Sequence, residues 1–438
     1  MSRILLSTSE ALGHLSPCIT LLKHLQKRGH DVAMVGRLDG EDLTAANEIR
    51  YIPIAHQEYP KGSVAEDLKQ LGEKKGREGF KFTIDMYRRK ARANLTHMGG
   101  VLKTEKPDLM IIDQTYTDVV SVAQVYSIPH VTICCALNLM ADWNVPPSIF
   151  PMAHKKGLLA KFRNKIAFSL YAKAVKPIRT VIDEFRIQNG LKAYPNINSS
   201  NSLRLILSQT TDAFDLPRRH LPQLKNVGPL IDENLKEDLT TFPFDLIEGK
   251  EFVYVSLGSI QNRVPTIFKQ IAEACDRLNL KAVITTGHGC EFTPGELAGD
   301  PIVVPFAPQT ALLKQAKFVI THAGMNTAMA ALKFGLPMVA IPITNEQPGI
   351  AARIEHSGSG IWLRLNELNV DKIEGALSNI ASAKAYRDNA KRIQQSLELA
   401  GGARRAADLV EGVLESLTFK KLSREATSSA DFTRPISI

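Results

Sequence analysis

The chain has no long apolar run and few cysteines, and both absences narrow its class. No window approaches the roughly 20 consecutive apolar residues of a membrane-spanning helix. The opening residues MSRILLS carry a single basic residue and no extended apolar region, so we expect no secretory signal. The cysteines lack the paired spacing of zinc or redox sites, and Cys134–Cys135 lies in an apolar run typical of buried thiols. We therefore predict a cytoplasmic protein.

Two ligand-binding patterns are also missing. No G-x-G-x-x-G opens either half of the chain, which argues against a nicotinamide-dependent oxidoreductase. No Asp-x-Asp pair is present to hold a divalent metal ion.

The apolar fraction of 44% and the charged fraction of 23% are ordinary for a globular protein, and 438 residues are too many for one core. Two domains are therefore expected.

Short apolar runs alternate with helical patterns, which predicts an α/β protein with two doubly wound parallel sheets. The first unit has a strand at Arg3–Ser7, a loop that contains His14, and a helix capped by Ser16 with Pro17 as its first residue. A polar run after Val227-Gly-Pro-Leu230 reads as a linker, and a second set of strands follows. We predict an N-terminal domain at 1–225, a linker at 226–250, a second domain at 251–400, a terminal helix at 401–418 and a loose polar tail at 419–438.

The segment Phe306–Gln347 is the most informative part of the sequence. It contains two runs typical of buried strands, separated by THAGMNT and an Ala-rich helical segment. Gly324, Asn326 and Thr327 therefore lie where a strand gives way to a helix N-terminus. Free backbone N–H groups and the helix dipole make that place suitable for an anion. From these residues alone, an ordinary strand-to-helix turn with an Asn cap is an equally good interpretation.

The whole segment resembles the nucleotide-sugar signature of UDP-dependent glycosyltransferases of the two-domain GT-B type. The matching residues are Phe306, Pro308, Gln309, His322, Gly324, Asn326, Thr327, Gly335, Pro337, Glu346 and Gln347. The signature is most similar to that of bacterial carotenoid (zeaxanthin-type) and macrolide glycosyltransferases. The resemblance implies two Rossmann-like domains that face a cleft, with the terminal helix crossing back to the first domain.

The resemblance also implies a donor site in the second domain. It assigns the diphosphate to His322, Asn326 and Thr327, with the loop of Gly258 and Ser259 opposite. It places Gln309 and Gly324 in the donor site, Phe306 against the base, and Glu346 and Gln347 on the sugar hydroxyls. A Gln at position 347 is typical of glucose. No metal ion and no cofactor are implied, and the co-substrate is a UDP-sugar.

The acceptor hydroxyl must lose a proton as it attacks, and His is the natural base near neutral pH. The resembled family uses a His in its first loop and an Asp at the end of a later strand, and His14 and Asp113 match these places. Without the resemblance, His14 would be an ordinary surface histidine. Asp118 lies close behind Asp113 and is an alternative helix-capping acid.

Two departures from the family pattern concern the nucleotide. Phe306 stands where the family usually has Trp, and Ala330 stands where the family has a carboxylate for the ribose hydroxyls. We therefore expect donor binding with weaker selection of the ribose, so that the strictness for UDP is open.

Residues 155–179 contain basic side chains and no acidic ones, with Leu159, Phe162, Ile166 and Leu170 at helical spacing. Such a segment is either a solvated surface face or a helix that lies on an anionic membrane. Nucleic acid is not expected, because no aromatic platform accompanies the charge.

The sequence thus predicts an inverting, metal-independent transfer of a hexose from UDP-glucose to a hydroxyl of a lipophilic small molecule. A basic helix would suit extraction of that acceptor from the inner face of a membrane. One alternative is a non-catalytic activator of the same fold, which would be expected to lose the base or the diphosphate ligands. Another is a nucleotide-sugar epimerase, which would need carboxylates around the sugar.

Overall fold

The structure is a computed structural model that describes residues 1–74, 76–231, 239–258, 263–287 and 289–430. The strands of these parts are β1 Arg3–Ser7, β2 Asp31–Gly36, β3 Arg50–Pro53, β4 Leu109–Asp113, β5 His130–Cys134, β6 Ile206–Ser208, β7 Leu224–Asn226, β8 Phe252–Ser256, β9 Lys281–Thr285, β10 Ile302–Val304, β11 Phe318–Thr321, β12 Met338–Ala340 and β13 Gly360–Trp362. The α-helices are α1 Leu12–Lys27, α2 Glu41–Ala45, α3 Ser63–Glu73, α4 Gly76–Glu105, α5 Thr117–Val125, α6 Leu158–Ala174, α7 Lys176–Gln188, α8 Pro265–Arg277, α9 Gln309–Leu313, α10 Met325–Lys333, α11 Gln347–His356, α12 Val370–Ser382, α13 Lys384–Ala400 and α14 Gly402–Ala430.

The strands form two separate sheets in which every pairing is parallel. The first sheet has the order β3-β2-β1-β4-β5-β6-β7, and the second has the order β10-β9-β8-β11-β12-β13. Each sheet carries helices on both faces, so its central strands are buried, and every residue of β4 and β8 is buried. The predicted fold class, two Rossmann-like α/β domains, is confirmed. The exact domain limits stay predictions.

Helix α1 begins earlier than the sequence pattern suggested. It starts at Leu12, so Pro17 lies inside the helix and His14 lies in its first turn rather than in a loop. The amides of His14 and Leu15 both donate to the carbonyl of Ala11, which closes this turn, and Leu15 is buried in the core. Pro17 has no N–H group, so the Gly13 carbonyl lacks its usual partner within the helix. The helix tolerates this loss near its N-terminus.

Helix α14 returns from the second domain to the first. Its buried residues Ala403, Ala406, Ala407, Val410 and Leu414 join the hydrophobic cluster that contains the buried face of α1. Arg28, just after α1, forms ion pairs with Asp408 and Glu411 of α14. The helix runs to Ala430, beyond residue 418 where the sequence pattern placed its end, and 431–438 of the predicted tail lie outside the described residues.

Helix α11 joins the two domains directly behind the cleft. The backbone N–H of Gly349 donates to the Ser148 carbonyl of the first domain over 2.8 Å. Nε of the fully buried Arg353 donates to Asp215 over 2.7 Å, and Asp215 also pairs with Arg218. Removing one partner of such a buried pair typically costs 3–5 kcal/mol, so this contact holds the start of α11 at the cleft. Among the described helices, none has the length and apolar character needed to cross a lipid bilayer.

Candidate active site

The order of the strands in each sheet creates a place for a ligand. In the first sheet β1 lies between β2 and β4, and in the second β8 lies between β9 and β11, so the connections leave in opposite directions at these points. Ligands of doubly wound sheets bind beyond the carboxyl ends of strands at such switch points. Both points open onto one cavity of about 1820 Å³ between the domains.

The structure brings most of the predicted site residues to this cavity. Those that line it are His14, Gly258, Phe306, Gln309, His322, Gly324, Asn326, Thr327, Glu346 and Gln347. Asp113 lies directly behind His14 at the end of β4. Ser259, the remaining predicted residue, lies outside the described residues.

His14 and Asp113 form a hydrogen-bonded pair. His14 Nδ1 lies 2.7 Å from Asp113 Oδ2, and the Asp113 side chain is fully buried while 23% of the His14 side chain remains exposed. Burial alone would lower the pKa of His14, but the Asp113 carboxylate outweighs it and raises that pKa well above its usual value. Burial would raise the pKa of Asp113, and His14 and the hydrogen bonds of Thr115 hold it far below its usual value. Asp113 thus stays ionised and orients the imidazole.

Both carboxylate oxygens of Asp113 also accept hydrogen bonds from residues that the sequence analysis missed. Thr8 Oγ1 donates to Oδ2 over 2.9 Å, and the N–H and hydroxyl of Thr115 donate to Oδ1 over 2.9 and 2.8 Å. The Asp-x-Thr spacing was a usable signal for Thr115, because an Asp often accepts the backbone N–H two residues later. Thr8 had no such local signal. Cys135 Sγ also lies within 4.8 Å of a ring nitrogen of His14 and of a carboxylate oxygen of Asp113.

His322 follows β11 and stands between two glycines. A Cβ atom on Gly258 would lie 2.6 Å from its Nε2, and one on Gly324 would lie 2.5 Å from the same atom. His322 Nδ1 faces the Ser256 carbonyl at 3.4 Å. Burial lowers the pKa of His322 to about 4, so the ring is neutral at pH 7 and offers a hydrogen bond without a positive charge.

The N-terminus of α10, whose first backbone N–H groups have no partner within the helix, lines the same part of the cavity. Gly324 is the N-cap, and Asn326 and Thr327 are in the first turn. Ala323, just before it, has a left-handed backbone with φ of 62°, which turns the chain sharply from strand to helix. Asn326 Nδ2 also reaches across the cleft and donates to the Gly13 carbonyl over 3.4 Å. That is the carbonyl released by Pro17, so the two switch points are in contact.

Glu346 and Gln347 lie at the start of α11. Gln347 Oε1 accepts the backbone N–H groups of Ile343 and Thr344 over 2.8 and 2.9 Å. The amide oxygen therefore holds the loop before α11, and only the NH₂ group remains for a ligand. Burial raises the pKa of Glu346, and the charges of His14 and Asp113 act on it, so it lies near the pair.

The predicted nucleotide end of the site contains Phe306 and Gln309. The Phe306 side chain is 53% exposed and lines the cavity, which leaves a face for stacking. Gln309 Nε2 lies 3.4 Å from Thr327 Oγ1 and links α9 to α10. Ala330 is partly buried against the hydrophobic core of the second domain. Glu346 is the only carboxylate of the described part of the second domain that lines the cavity.

The first-domain part of the cavity is mainly apolar. Its walls come from α3, α4, α6, α7 and the segment before α6, and they include Leu68, Phe80, Ile84, Ile149 and Ile178. His14 lines the same cavity, so an apolar molecule in this space can reach it.

Helix α6 presents its apolar stripe to solvent. Leu158 and Leu159 are 84% and 87% exposed, and Phe162, Ile166 and Leu170 are each about half exposed or more. The helix instead packs inward through another face, with Ala160, Asn164, Ala167 and Phe168 buried. Leu170 also lines the cavity, so the exposed stripe leads to the cavity mouth.

Comparison with known proteins agrees with this geometry. The sequence model described as "UDP-glucoronosyl and UDP-glucosyl transferase" matches residues 3–397. The chain is 27% identical to the zeaxanthin glucosyltransferase of Pantoea ananas over 420 residues, covering 92% of this chain and 93% of the relative. It is 25% identical to the demethyllactenocin mycarosyltransferase of Streptomyces fradiae over 94% of this chain and 87% of the relative.

Solved structures share the fold. The glycosyltransferase of kitacinnamycin matches with a TM-score of 0.76 and 20% identity over 94% of this chain and 99% of that one. A calicheamicin glycosyltransferase matches with a TM-score of 0.70 and 20% identity over 95% of this chain and 99% of that one. The resemblance inferred from Phe306–Gln347 is therefore confirmed. Because the matching proteins are glycosyltransferases, sugar transfer is favoured over the activator and epimerase alternatives. The chain belongs to the UDP-glucoronosyl and UDP-glucosyl transferase family and is a nucleotide-sugar-dependent glycosyltransferase of the GT-B fold.

Proposed function

We propose that this enzyme transfers glucose from UDP-glucose to a hydroxyl group of a lipophilic small molecule, with inversion at the anomeric carbon and without a metal ion. The observation that carries the proposal is the His14–Asp113 pair, 2.7 Å apart, at the point where the first domain touches the α10 N-terminus. An acceptor in the apolar half of the cavity and a donor on α10 meet at this pair.

His14 is the general base of the proposed reaction. With Nδ1–H donated to Asp113, Nε2 carries the lone pair and takes the proton of the acceptor hydroxyl as its oxygen attacks the sugar C1. The UDP oxygen leaves from the opposite face of the sugar, so one displacement inverts the configuration. Asp113 stabilises the imidazolium that forms.

The leaving diphosphate would be held by the N-terminus of α10, by the side chains of Asn326 and Thr327, and by neutral His322. Metal independence is supported by the scarcity of carboxylates on the donor side, where Glu346 is the only carboxylate that the described part of the second domain contributes to the cavity wall. Glu346 and the NH₂ group of Gln347 are the proposed ligands of the sugar hydroxyls. No cofactor takes part in this scheme.

The acceptor class is argued from the apolar walls contributed by α3, α4, α6 and α7. The two relatives named above are called zeaxanthin and demethyllactenocin transferases, which agrees with a large lipophilic acceptor for this chain. We place the enzyme in the cytoplasm, where UDP-sugars would be available to it.

The acceptor would enter from a membrane surface that contacts α6. Full burial of a Leu or Phe side chain contributes about 1.5–3 kcal/mol, and each nearby Lys or Arg adds about 1 kcal/mol on an anionic bilayer. Leu159 and Phe162 are exposed, and Lys161 and Lys165 beside them are also exposed. Vesicles of anionic phospholipid should therefore sediment the protein. Leu159→Glu should weaken this binding, whereas Leu399→Glu, at a site that is 88% exposed on α13, should not.

The direct test is a mass-spectrometric screen of the purified chain with UDP-glucose and a panel of carotenoid, macrolide and phenolic alcohols. A product heavier by one hexose, with a β-glycosidic linkage by NMR, is the expected result. An α-linked product would contradict inversion. Full activity after removal of divalent ions with EDTA is expected, and its loss would contradict metal independence.

A further inference from the structure

Two cationic side chains lie in the first-domain part of the cavity, away from the proposed donor site. Arg37 follows β2 and is 3% exposed, and Lys90 lies on α4 and is 8% exposed. Both line the cavity, together with Glu10. Charged groups are rarely buried without full pairing, so their partners decide what this part of the cavity can bind.

Arg37 has one paired edge and one unpaired edge. Its Nη1 donates to Glu10 Oε2 over 2.9 Å, and its backbone N–H donates to Glu10 Oε1 over 3.0 Å. Nε and Nη2 are buried and make no hydrogen bond of regular geometry, although the Tyr116 hydroxyl lies close enough to raise the pKa of Arg37. The guanidinium lies 4.3 Å from the centre of the Tyr59 ring. The Nε–Nη2 edge is the one that binds a carboxylate through two parallel hydrogen bonds.

Lys90 has no ion pair within the described parts of the chain. Its Nζ lies 3.9 Å from the centre of the Tyr116 ring and 5.4 Å from that of Tyr87. The carboxylates of Glu10 and Asp118 are near enough for their charges to act on Lys90, and Asp118 Oδ2 accepts a hydrogen bond from Asn94 over 2.7 Å. Burial lowers the pKa of Lys90 to about 8. Two ring faces cannot accept all three N–H groups, so the ammonium retains donor capacity at the cavity wall.

We infer that Lys90 and Arg37 form an anion subsite that binds a carboxylate group of the acceptor while the acceptor's hydroxyl group lies at His14. The inference rests on the proposed function and narrows its substrate class to hydroxylated lipophilic acids. Each oxygen of Glu10 already accepts a hydrogen bond from Arg37, and no salt bridge joins Lys90 to Glu10 or to another described carboxylate. Both cations belong to the first domain, whose walls form the acceptor half, and the charge of Asp113 acts on Lys90, so the subsite is close to the pair.

A carboxylate on the donor is the other source of the same chemistry, since a uronic acid sugar carries one. The location on the first domain favours the acceptor, and the assay below separates the two. Lys90 is the residue to change, because loss of the Arg37 side chain would leave Glu10 buried without its partner.

The first test measures kcat/KM with UDP-glucose for 12-hydroxystearic acid and for its methyl ester. The natural enzyme should prefer the acid, and Lys90→Met should lower kcat/KM for the acid by roughly 10- to 100-fold, the range of one charge-assisted hydrogen bond. The acid-to-ester ratio should fall with it. Lys103→Met is the matched control, because Lys103 is on the same helix and also lies over a ring, that of Tyr126, outside the cavity. An unchanged ratio in Lys90→Met would overturn the inference. So would an effect seen only when UDP-glucuronic acid replaces UDP-glucose.

The second test needs no sugar transfer. Calorimetry should show that decanoate binds more tightly than decanamide, and that Lys90→Met removes the difference while its melting temperature stays at the natural value. Equal binding of both ligands by the natural protein would overturn the subsite. If decanoate binding depends on Lys90 but no acceptor is glycosylated, the subsite stands and the proposed reaction fails.

Discussion

Asp113→Asn should reverse the tautomer of His14 without changing the shape of the site. Oδ1 of Asp113 accepts the backbone N–H of Thr115, which cannot rotate away, so the amide oxygen of Asn must take this position. The NH₂ group then faces His14 Nδ1 and donates to it. The ring proton moves to Nε2, where the lone pair for the acceptor hydroxyl is needed.

The expected loss in kcat is about 10³–10⁴-fold, because the analogous change in a serine protease triad costs about 10⁴-fold for the same reason. The affinity for UDP should stay unchanged, since the residues proposed to bind UDP are on the second domain. The pH dependence of the residual activity should also change. Without the Asp113 charge the pKa of His14 is lower, so the rise of activity with pH should move to lower pH. The Asp113 carboxylate raises the pKa of His14, the base must be unprotonated, and activity in the natural enzyme therefore rises with pH through that raised pKa.

The assay is the pH profile of kcat/KM for the natural enzyme and for both Asp113→Asn and Asp108→Asn. Asp108 precedes the same strand at its opposite end and accepts the backbone N–H of Arg3, so it is a matched control. The control should keep the natural profile. Turnover by Asp113→Asn close to that of the control would refute the role of the pair.

Three further outcomes are expected. Gln347→Glu keeps an oxygen for the loop amides at the helix N-terminus but removes the NH₂ donor. UDP-glucose should therefore bind roughly 10-fold more weakly, while free UDP binds as before. Equal weakening of both ligands, measured by calorimetry, would place Gln347 outside the sugar site. Gly324→Ala should displace His322 and weaken UDP binding, whereas Gly412→Ala, where a Cβ meets no atom within 4 Å, should not; equal UDP affinity in both variants would count against the close contact. The ratio of kcat/KM for UDP-glucose over dTDP-glucose should be small, because no carboxylate stands at Ala330, and Ala330→Glu should raise it by up to about 10-fold; a strong UDP preference in the natural enzyme would show that another residue selects the ribose.

The sequence was informative where local chemistry determines local structure. THAGMNT lies between two buried strands and begins a helix, and the structure places β11, the sharp turn at Ala323 and α10 there. Asp113 was predictable because it ends an apolar run, and the carboxyl ends of neighbouring parallel strands meet at one edge of a sheet. The resemblance then linked residues that are distant in sequence.

Elements that depend on tertiary packing were not predictable in the same way. Strand β7 (Leu224–Asn226) has only three residues and no apolar run, and β3 contains Pro53, so neither has a strand pattern. Helix α4 contains several glycines, which disfavour helix formation. It extends from Gly76 to Glu105 despite its glycines, because it packs against α5 and α7.

The direction of a helix face is also invisible in one sequence. The spacing of Leu159, Phe162, Ile166 and Leu170 predicts a stripe, but periodicity does not tell whether a stripe faces the core or the solvent. Here it faces solvent, since Ala167 and Phe168 already fill the inward contacts. Arg37 and Lys90 were missed for a related reason: β2 and α4 bring them together only in the folded chain.

The His14→Ala variant tests the central claim most directly, with transfer from UDP-glucose and UDP affinity measured on the same preparation. We predict that transfer falls by roughly 10²–10⁴-fold, the usual contribution of a general base, while UDP binds as tightly as before. Near-natural turnover in His14→Ala, with UDP binding intact, would contradict it and require a different base.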